Sequence, residues 1–415
     1  MADSVTFAGQ IETKRCEIIN YKGNTIDISN LVIEFNLFED MFANSLSGNM
    51  VIVDTVDLIT TIPLSGEELL DVEFITPSLD TGYKHRFYIY KLSDRKIEGD
   101  RKQSYVLHFT SLETIVNVNK KISKSFKGIV SATVERIFND AALLASNKKL
   151  LVEPSENNFN FISAYWTPFQ TINFCAQHAV SKKAANYFFY ETNQSYEFVS
   201  VNKLVSLPTV RDYVFSNADG DTVAKGDFDK KSSLVKTMYA DVQYDYLRRI
   251  SLGMYASKLT TFDVTTKSIN TQTFDYLESF NSFNHLDKHP ITSDKLVRSR
   301  LANQYFLEKN SYSVEGGQQY NKYLLNRNSL TEQIFAFKFN IEVPGRTDIK
   351  VGNTISFTIN NFKQIGEQDK NEIVDDIYTG KYLITAIRHK IQGNTHTMYL
   401  EIVKDSFVTK LQPPK

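Results

Sequence analysis

Cysteine is nearly absent: only Cys16 and Cys175 occur in 415 residues. That excludes a disulfide framework and any metal site built on several thiolates. Neither cysteine sits in a nucleophile signature, and Cys175 lies in a helix-like apolar pattern that reads as core. Long apolar runs are missing too. No stretch of about 18 apolar residues exists, so no membrane-spanning helix is expected. The start, MADSVTFAGQIETKRC, has no basic segment followed by an apolar one, so no secretory leader is read and assembly in a reducing cytoplasm is expected. Neither charge is in excess. Lys+Arg total 47 and Asp+Glu 48, a formal net charge of -1, which argues against a general electrostatic grip on nucleic acid while leaving room for a local patch. The sequence also lacks a G-x-S-x-G elbow, a Walker loop and a G-x-G-x-x-G fingerprint.

What is present describes an ordinary globular chain, 42% hydrophobic and 23% charged, long enough for two to four units. Its 29 Phe and 22 Tyr against a single Trp lean towards β-structure. Residues 15–125 read as strands. RCEIINYKGNTIDIS has a hairpin pattern, Leu70, Val72 and Phe74 alternate, and a long hairpin turns near Glu98-Gly99-Asp100. VDLITTIPL reads as a short helix stopped near Pro63. Residues 126–232 read as α+β. SATVERIFNDAALLA is a helix with a Ser/Thr-type cap, TPFQTINFCAQHAVSK is one capped by Thr167 with Pro168 in its first turn, and NYFFYETNQSYEFVSV is a hairpin turning at Asn193-Gln194. Strands return over 233–290, including SLVKTMYADVQYDYLRRI. Residues 291–309 read as an amphipathic helix with Leu296, Leu301 and Tyr305 on one side, and Gly316-Gly317 marks a loop. From about Leu330 to Val403 strands resume.

Two hairpins resemble each other at a constant offset of 294 residues: KIEGDRKQSY at 96–105 and KIQGNTHTMY at 390–399. Lys96, Ile97, Gly99 and Tyr105 match Lys390, Ile391, Gly393 and Tyr399. Upstream of each lies a strand, a corner with Pro63 or with Pro344 and Gly345, a glycine (Gly66 or Gly352) and an alternating strand. The alternative is two unrelated hairpins that share turn chemistry. A true repeat gives two similar small β-barrels per chain, and three copies would present six barrels in a threefold ring.

SGNMVIVDTVDLITTIPLSGEELLDVEF at 47–74, SATVERIFND at 131–140, AYWTPFQTINFCAQHA at 164–179, GMYASKLTTFDVTTKSINTQTFDY at 253–276 and VPGRTDIKVGNTISF at 343–357 follow in order along most of the chain. In these stretches the sequence resembles the central hub proteins of contractile-tailed phage baseplates and the base of type VI secretion spike proteins. The resemblance implies a mainly β fold with α+β insertions. It divides the chain into a first tube-type β-barrel over 1–125, an α+β domain over 126–232, and a strand-rich segment followed by helices over 233–328, partly contributing to the second barrel. A second tube-type barrel over 329–405 and a tail over 406–415 complete it. It further implies a homotrimeric pseudo-hexameric ring in the virion baseplate, assembled in the bacterial host cytoplasm. The expected partners are the tail tube protein, a trimeric spike protein on a separate chain and baseplate wedge proteins, with DNA only in transit through a central channel. No catalytic, cofactor or metal residues are carried over.

Other patterns allow sharper readings beside plainer ones. His285 and His289, with Asp287 between, have the spacing of a two-histidine metal face, but Pro290 and the missing third ligand favour a loop. Asn217, Asp219 and Asp221 imitate a calcium loop, yet Thr222 replaces its glycine and Phe228 its bidentate glutamate, which favours a polar turn. Glu67 and Glu68 read as an exposed corner or a subunit contact rather than a facing catalytic pair. Trp166 reads as a hydrophobic staple at a helix entry or as a subunit-interface anchor. The basic run NKKISKSFKG at 119–128 is read as a solvated segment, with DNA or an acidic partner as the alternative. A carbohydrate- or cell-wall-acting protein with tandem β-domains is the alternative overall.

Overall fold

The computed structural model describes residues 7–61, 64–77, 79, 81–98, 102–182, 184–215, 228–243, 245–263, 267–292, 301–308, 320–360, 374–375 and 377–411. Pro63, Gly99, the calcium-like positions Asn217, Asp219, Asp221 and Thr222, Leu296 and the Gly316-Gly317 pair lie outside the described residues. The fold is mainly β, with an α+β segment between two β-rich halves.

Apolar alternation builds the first half. It comprises β1 (Glu12–Ile19), β2 (Thr25–Asp27), β3 (Val32–Asp40), β4 (Ser47–Asp54), the short helix α1 (Leu58–Thr61), β5 (Leu69–Ile75), β6 (Gly82–Glu98) and β7 (Lys102–Ser111). These strands pair antiparallel in the order β3-β4-β7-β6-β5-β1-β2. Phe35 of β3 and Phe74 of β5 have ring centroids 5.0 Å apart. Four strand steps separate them, about 19 Å in a flat sheet. The sheet is therefore rolled around its own core, where Leu70, Val72 and Phe74 meet Tyr105, Leu107 and Phe109.

The next segment forms α2 (Leu112–Asn119), β8 (Ile122–Phe126), α3 (Val130–Asn139), β9 (Leu150–Val152), β10 (Phe161–Trp166), α4 (Pro168–His178), β11 (Tyr187–Glu191), β12 (Tyr196–Ser200) and α5 (Val201–Leu204). A ribbon of β8 and β10 and a small sheet, β11-β12-β9, enclose a separate core that includes Ile137, Phe138, Ile172 and Cys175. The expected start of α4 is found: Thr167 and Gln170 form a reciprocal capping box, with Pro168 in the first turn. The start of α3 differs. Its N-cap is Ile129, with no side-chain cap, because the Ser131 hydroxyl is inside the helix and accepts the Ser155 N–H.

The second half begins with β13 (Arg211–Phe215), α6 (Phe228–Ser232) and β14 (Thr237–Gln243). There follow α7 (Tyr246–Ser251), β15 (Ala256–Asp263), β16 (Ser268–Asp275), α8 (Tyr276–Ser279), β17 (His289–Pro290), β18 (Leu301–Glu308) and α9 (Tyr320–Ile334). It ends with β19 (Phe337–Pro344), β20 (Thr354–Ile359), β21 (Gly380–Gln392), β22 (Thr395–Lys404) and β23 (Ser406–Phe407). The order here is β14-β19-β22-β21-β20-β13. Phe339, Phe357 and Tyr382 lie in its core.

Two sequence expectations fail in this region. Within 291–309, residues 301–308 form a strand, not a helix, and pair parallel with β15 along its full length. Leu301 and Tyr305 are four apart, a spacing that fits period 2 as well as a helix, and the long-range pairing decides. The strand expected through 233–250 stops at β14. Asp245 then accepts the Arg248 N–H and starts α7.

Candidate assembly interface

The two halves are one sheet. β21 pairs antiparallel with β3, from Ala386 opposite Asp40 to Ile391 opposite Phe35. This joint makes a continuous wall, β14-β19-β22-β21-β3-β4-β7-β6. Ile391 crosses it and is buried in the core of the first half, 5% exposed.

A bulge makes the joint geometrically possible. β21 pairs with β20 through residues 380–383 and with β3 through 386–391, and its register shifts between Ile384 and Ala386. The bulge bends the strand out of its own rolled half and into the wall. β6 repeats the arrangement. It pairs with β5 through residues 82–88 and its register shifts between Ile89 and Lys91. Beyond that point no strand covers its outer edge among the described residues. Tyr90, Leu92 and Ile97 stand exposed there, Ile97 at 68%. At the other end of the wall β14 has the same open edge, with Tyr239 65% exposed.

A buried polar cluster lies at the joint. Glu39 Oε1 is 3.3 Å from His389 Nε2, and His389 Nδ1 is 3.2 Å from His396 Nε2. The Tyr83 hydroxyl is 3.1–3.2 Å from both ring nitrogens of His389. Burial pushes the Glu39 carboxyl up to about 8 and His389 down to about 3, and it holds His396 far below its usual value. At neutral pH the Glu39–His389 contact is thus a hydrogen bond between neutral groups. Backbone closeness explains two glycines here. A Cβ on Gly345 would stand 2.0 Å from His396 Cγ, and one on Gly9 would stand 2.6 Å from the His396 carbonyl oxygen.

The α+β unit is clamped onto both halves. Lys148 Nζ lies 2.8 Å from Glu113 and 2.5 Å from Glu191, and Glu191 also accepts the Leu46 N–H. On the other side Lys350 pairs with Glu197 at 2.5 Å. Gly352 has φ +85, and a Cβ there would stand 2.5 Å from the Tyr190 hydroxyl.

The residues singled out in the sequence fall at several places. Lys96 and Ile97 lie on β6, Tyr105 on β7, Lys390 and Ile391 on β21, and Tyr399 on β22, while Gly393 turns the second hairpin at φ +56. The constant offset does not survive residue by residue. Leu92–Leu107 and Ser93–Val106 are paired as Ile387–Leu400 and Arg388–Tyr399 are. Tyr105 therefore takes the place of Met398, not Tyr399, and both Tyr105 and Met398 are buried. The connection between β6 and β7 is one residue longer than that between β21 and β22, three residues against two, and this shift hid the correspondence in the sequence. Pro344 ends β19 opposite Thr397, and Ile355, Phe357 and Ile359 share a buried face.

Glu68 is fully buried, not exposed. Its carboxylate accepts the N–H groups of Ser65 and Gly66 and so fixes the corner where Gly66 has φ +88. Glu67 beside it is exposed. Trp166 does not staple the start of α4 against the fourth position, which is Thr171. It packs half-buried on Phe174, ring centroids 4.8 Å apart. His285 bonds Asp405 and the Phe280 carbonyl and stacks on Phe280. His289 lies on β17, not on a helix. Of the basic run, residues 122–126 form β8, with Lys124 exposed. Sequence reasoning missed Glu39, His389, His396 and Tyr239. The one available signal was two histidines at strand positions whose neighbours alternate with apolar residues.

In sequence the chain is similar to the probable baseplate hub protein gp334 of Vibrio phage KVP40, 20% identical over 402 residues that cover 92% of this chain and 91% of that protein. This protein has a phage baseplate hub homologue. Among solved structures it is similar to a tail protein from Neisseria meningitidis MC58, with a TM-score of 0.54, 11% identity and coverage of 96% of this chain and 99% of that one. It is also similar to the 43 kDa tail protein of prophage MuSo2 from Shewanella oneidensis, with a TM-score of 0.53, 9% identity and coverage of 94% and 98%. The fold is thus shared with these two tail proteins over most of the chain. No family model matches the sequence.

Proposed function

We propose that the chain is a non-enzymatic virion protein, the central hub of a contractile-tail baseplate. Three copies close into a ring of six rolled halves. One face of the ring meets the sixfold tail tube, the other holds a trimeric spike, wedge proteins surround it, and DNA passes through the centre. The observation that carries this reading is the contrast between Ile391 and Ile97. Ile391 is buried in the neighbouring half across the β21–β3 joint, while Ile97 occupies the matching place on the open edge of β6.

The joint inside one chain supplies the register for a joint between copies. Ile97 is paired with Gln103 as Ile391 is with His396. On β14, Met238 is paired with Ile341, which faces Leu400, as Phe35 is paired with Met50, which faces Leu107. Repeating the joint sets Ile97 of one copy opposite Met238 of the next, and Lys96 opposite Tyr239. Each step is heterologous, so it yields a closed ring when the rotation closes, and it covers edges that otherwise template aggregation. Three walls give about 24 strands. At about 4.8 Å per strand the ring is about 37 Å across before tilt widens it.

Native mass measurement of the purified chain, alone and with its spike partner, tests the reading. A trimer is expected, and Ile97→Asp is expected to abolish it. A chain that stays monomeric even with the spike overturns the ring.

A further inference from the structure

The wall has two faces. One packs on the cores and the other is open. Along β19, β21 and β22 the buried residues alternate with Lys338, Arg388, Lys390 and Glu401, and Glu34 joins them from β3. All three cations are paired with acids on the same face. Lys338 Nζ lies 2.5 Å from Glu401 and 3.2 Å from Asp241. Lys390 lies 3.3 Å and Arg388 3.5 Å from Glu34. Arg388 also donates to Asn36 Oδ1 at 3.0 Å and lies over the Tyr399 ring. Such pairing is not general in this protein. On the β8–β10 ribbon Lys124 is exposed and has no acidic partner among the described residues.

We propose that the part of this open face built by β3, β19, β21 and β22 is charge-masked. Glu34 and Glu401 hold its cations so that a double-stranded polyanion slides along it without adhering. Adhesion to DNA requires side-chain cations that displace counterions from the phosphates, and here Lys338, Arg388 and Lys390 are each already paired with a neighbouring acid. The role of this face as a channel lining rests on the ring proposed above, whereas the masking itself is a property of each chain.

The test uses the full-length chain with a linear double-stranded DNA fragment, read by anisotropy across a salt series. Lys124→Gln in every variant removes the ribbon's contribution. The parent is expected to show no retention through Lys338, Arg388 and Lys390. The double variant Glu34→Gln with Glu401→Gln frees Arg388 and Lys390 and is expected to bind at least 10-fold more tightly, with a slope of about −2 in log K against log salt. Adding Lys338→Gln, Arg388→Gln and Lys390→Gln is expected to remove the gain. Masking is overturned if the folded double variant gains nothing, with its circular dichroism melt showing that it is folded. It is also overturned if the parent already binds through those three cations. Native mass on the same samples separates the two ideas. Gain of binding by a monomer supports masking and counts against the ring, and a trimer without gain does the reverse.

Discussion

Ile391 and Phe35 face each other as Cα partners across the two halves of the sheet, and both are buried. That contact joins halves at opposite ends of the sequence, and it gives the first experiment. Ile391→Ala leaves a hole in an occupied core and is expected to cost about 2–4 kcal/mol in denaturant unfolding. Ile97→Ala in a monomeric background is expected to stay within about 0.5 kcal/mol of the parent. Equal costs at the two positions would remove the argument for an unfilled joint.

Removal of Lys148 is expected to be among the most damaging single changes. Lys148→Ala leaves Glu113 and Glu191 buried side by side without their cation. The expected loss is about 3–5 kcal/mol, read from urea unfolding of the full chain.

The histidine pair at the joint predicts an acid limb in stability. His389 and His396 have depressed values in the fold, caused first by burial. The unfolded chain therefore takes up protons first. Their contribution is full above the ordinary histidine value of about 6.5 and is lost as pH falls below it towards the folded values. Glu39 acts in the opposite direction. Its raised value gives a contribution that is full below the ordinary glutamate range and is lost as pH rises through about 8. Melting temperature measured from pH 4 to 8 is expected to fall on the acid side. In the double variant His389→Gln with His396→Gln that fall is expected to be shallower, and an unchanged slope would exclude the pair as its source.

Gly352→Ala tests the clamp between the α+β unit and the second half. The positive φ and the 2.5 Å approach to Tyr190 predict a loss of about 1–3 kcal/mol. Tyr190→Phe in the same chain is expected to relieve the steric part alone.

Local patterns made much of this fold readable beforehand. The alternation in Leu70, Val72 and Phe74, the capping box at Thr167 and the turn at Asn193-Gln194 act within a few residues and appear where the sequence puts them. The interface did not show itself in this way. Ile97 and Ile391 have like neighbours in sequence, and only pairing with a strand far away buries one and not the other. β18 was misread for the same reason, since β15 rather than its own spacing decides its state. The joint cluster was hidden because Glu39 comes from the first half and His389 and His396 from the second.

The passage of one chain through both sides of the β21–β3 joint has a kinetic consequence. Every second seam of the proposed ring is made during folding, at the effective concentration set by a covalent tether. Ring formation then depends on the third power of chain concentration instead of the sixth. The tethered seam was also free to accept residues that a symmetric ring of six separate proteins would have to repeat everywhere, and the Glu39–His389–His396 cluster occupies that seam.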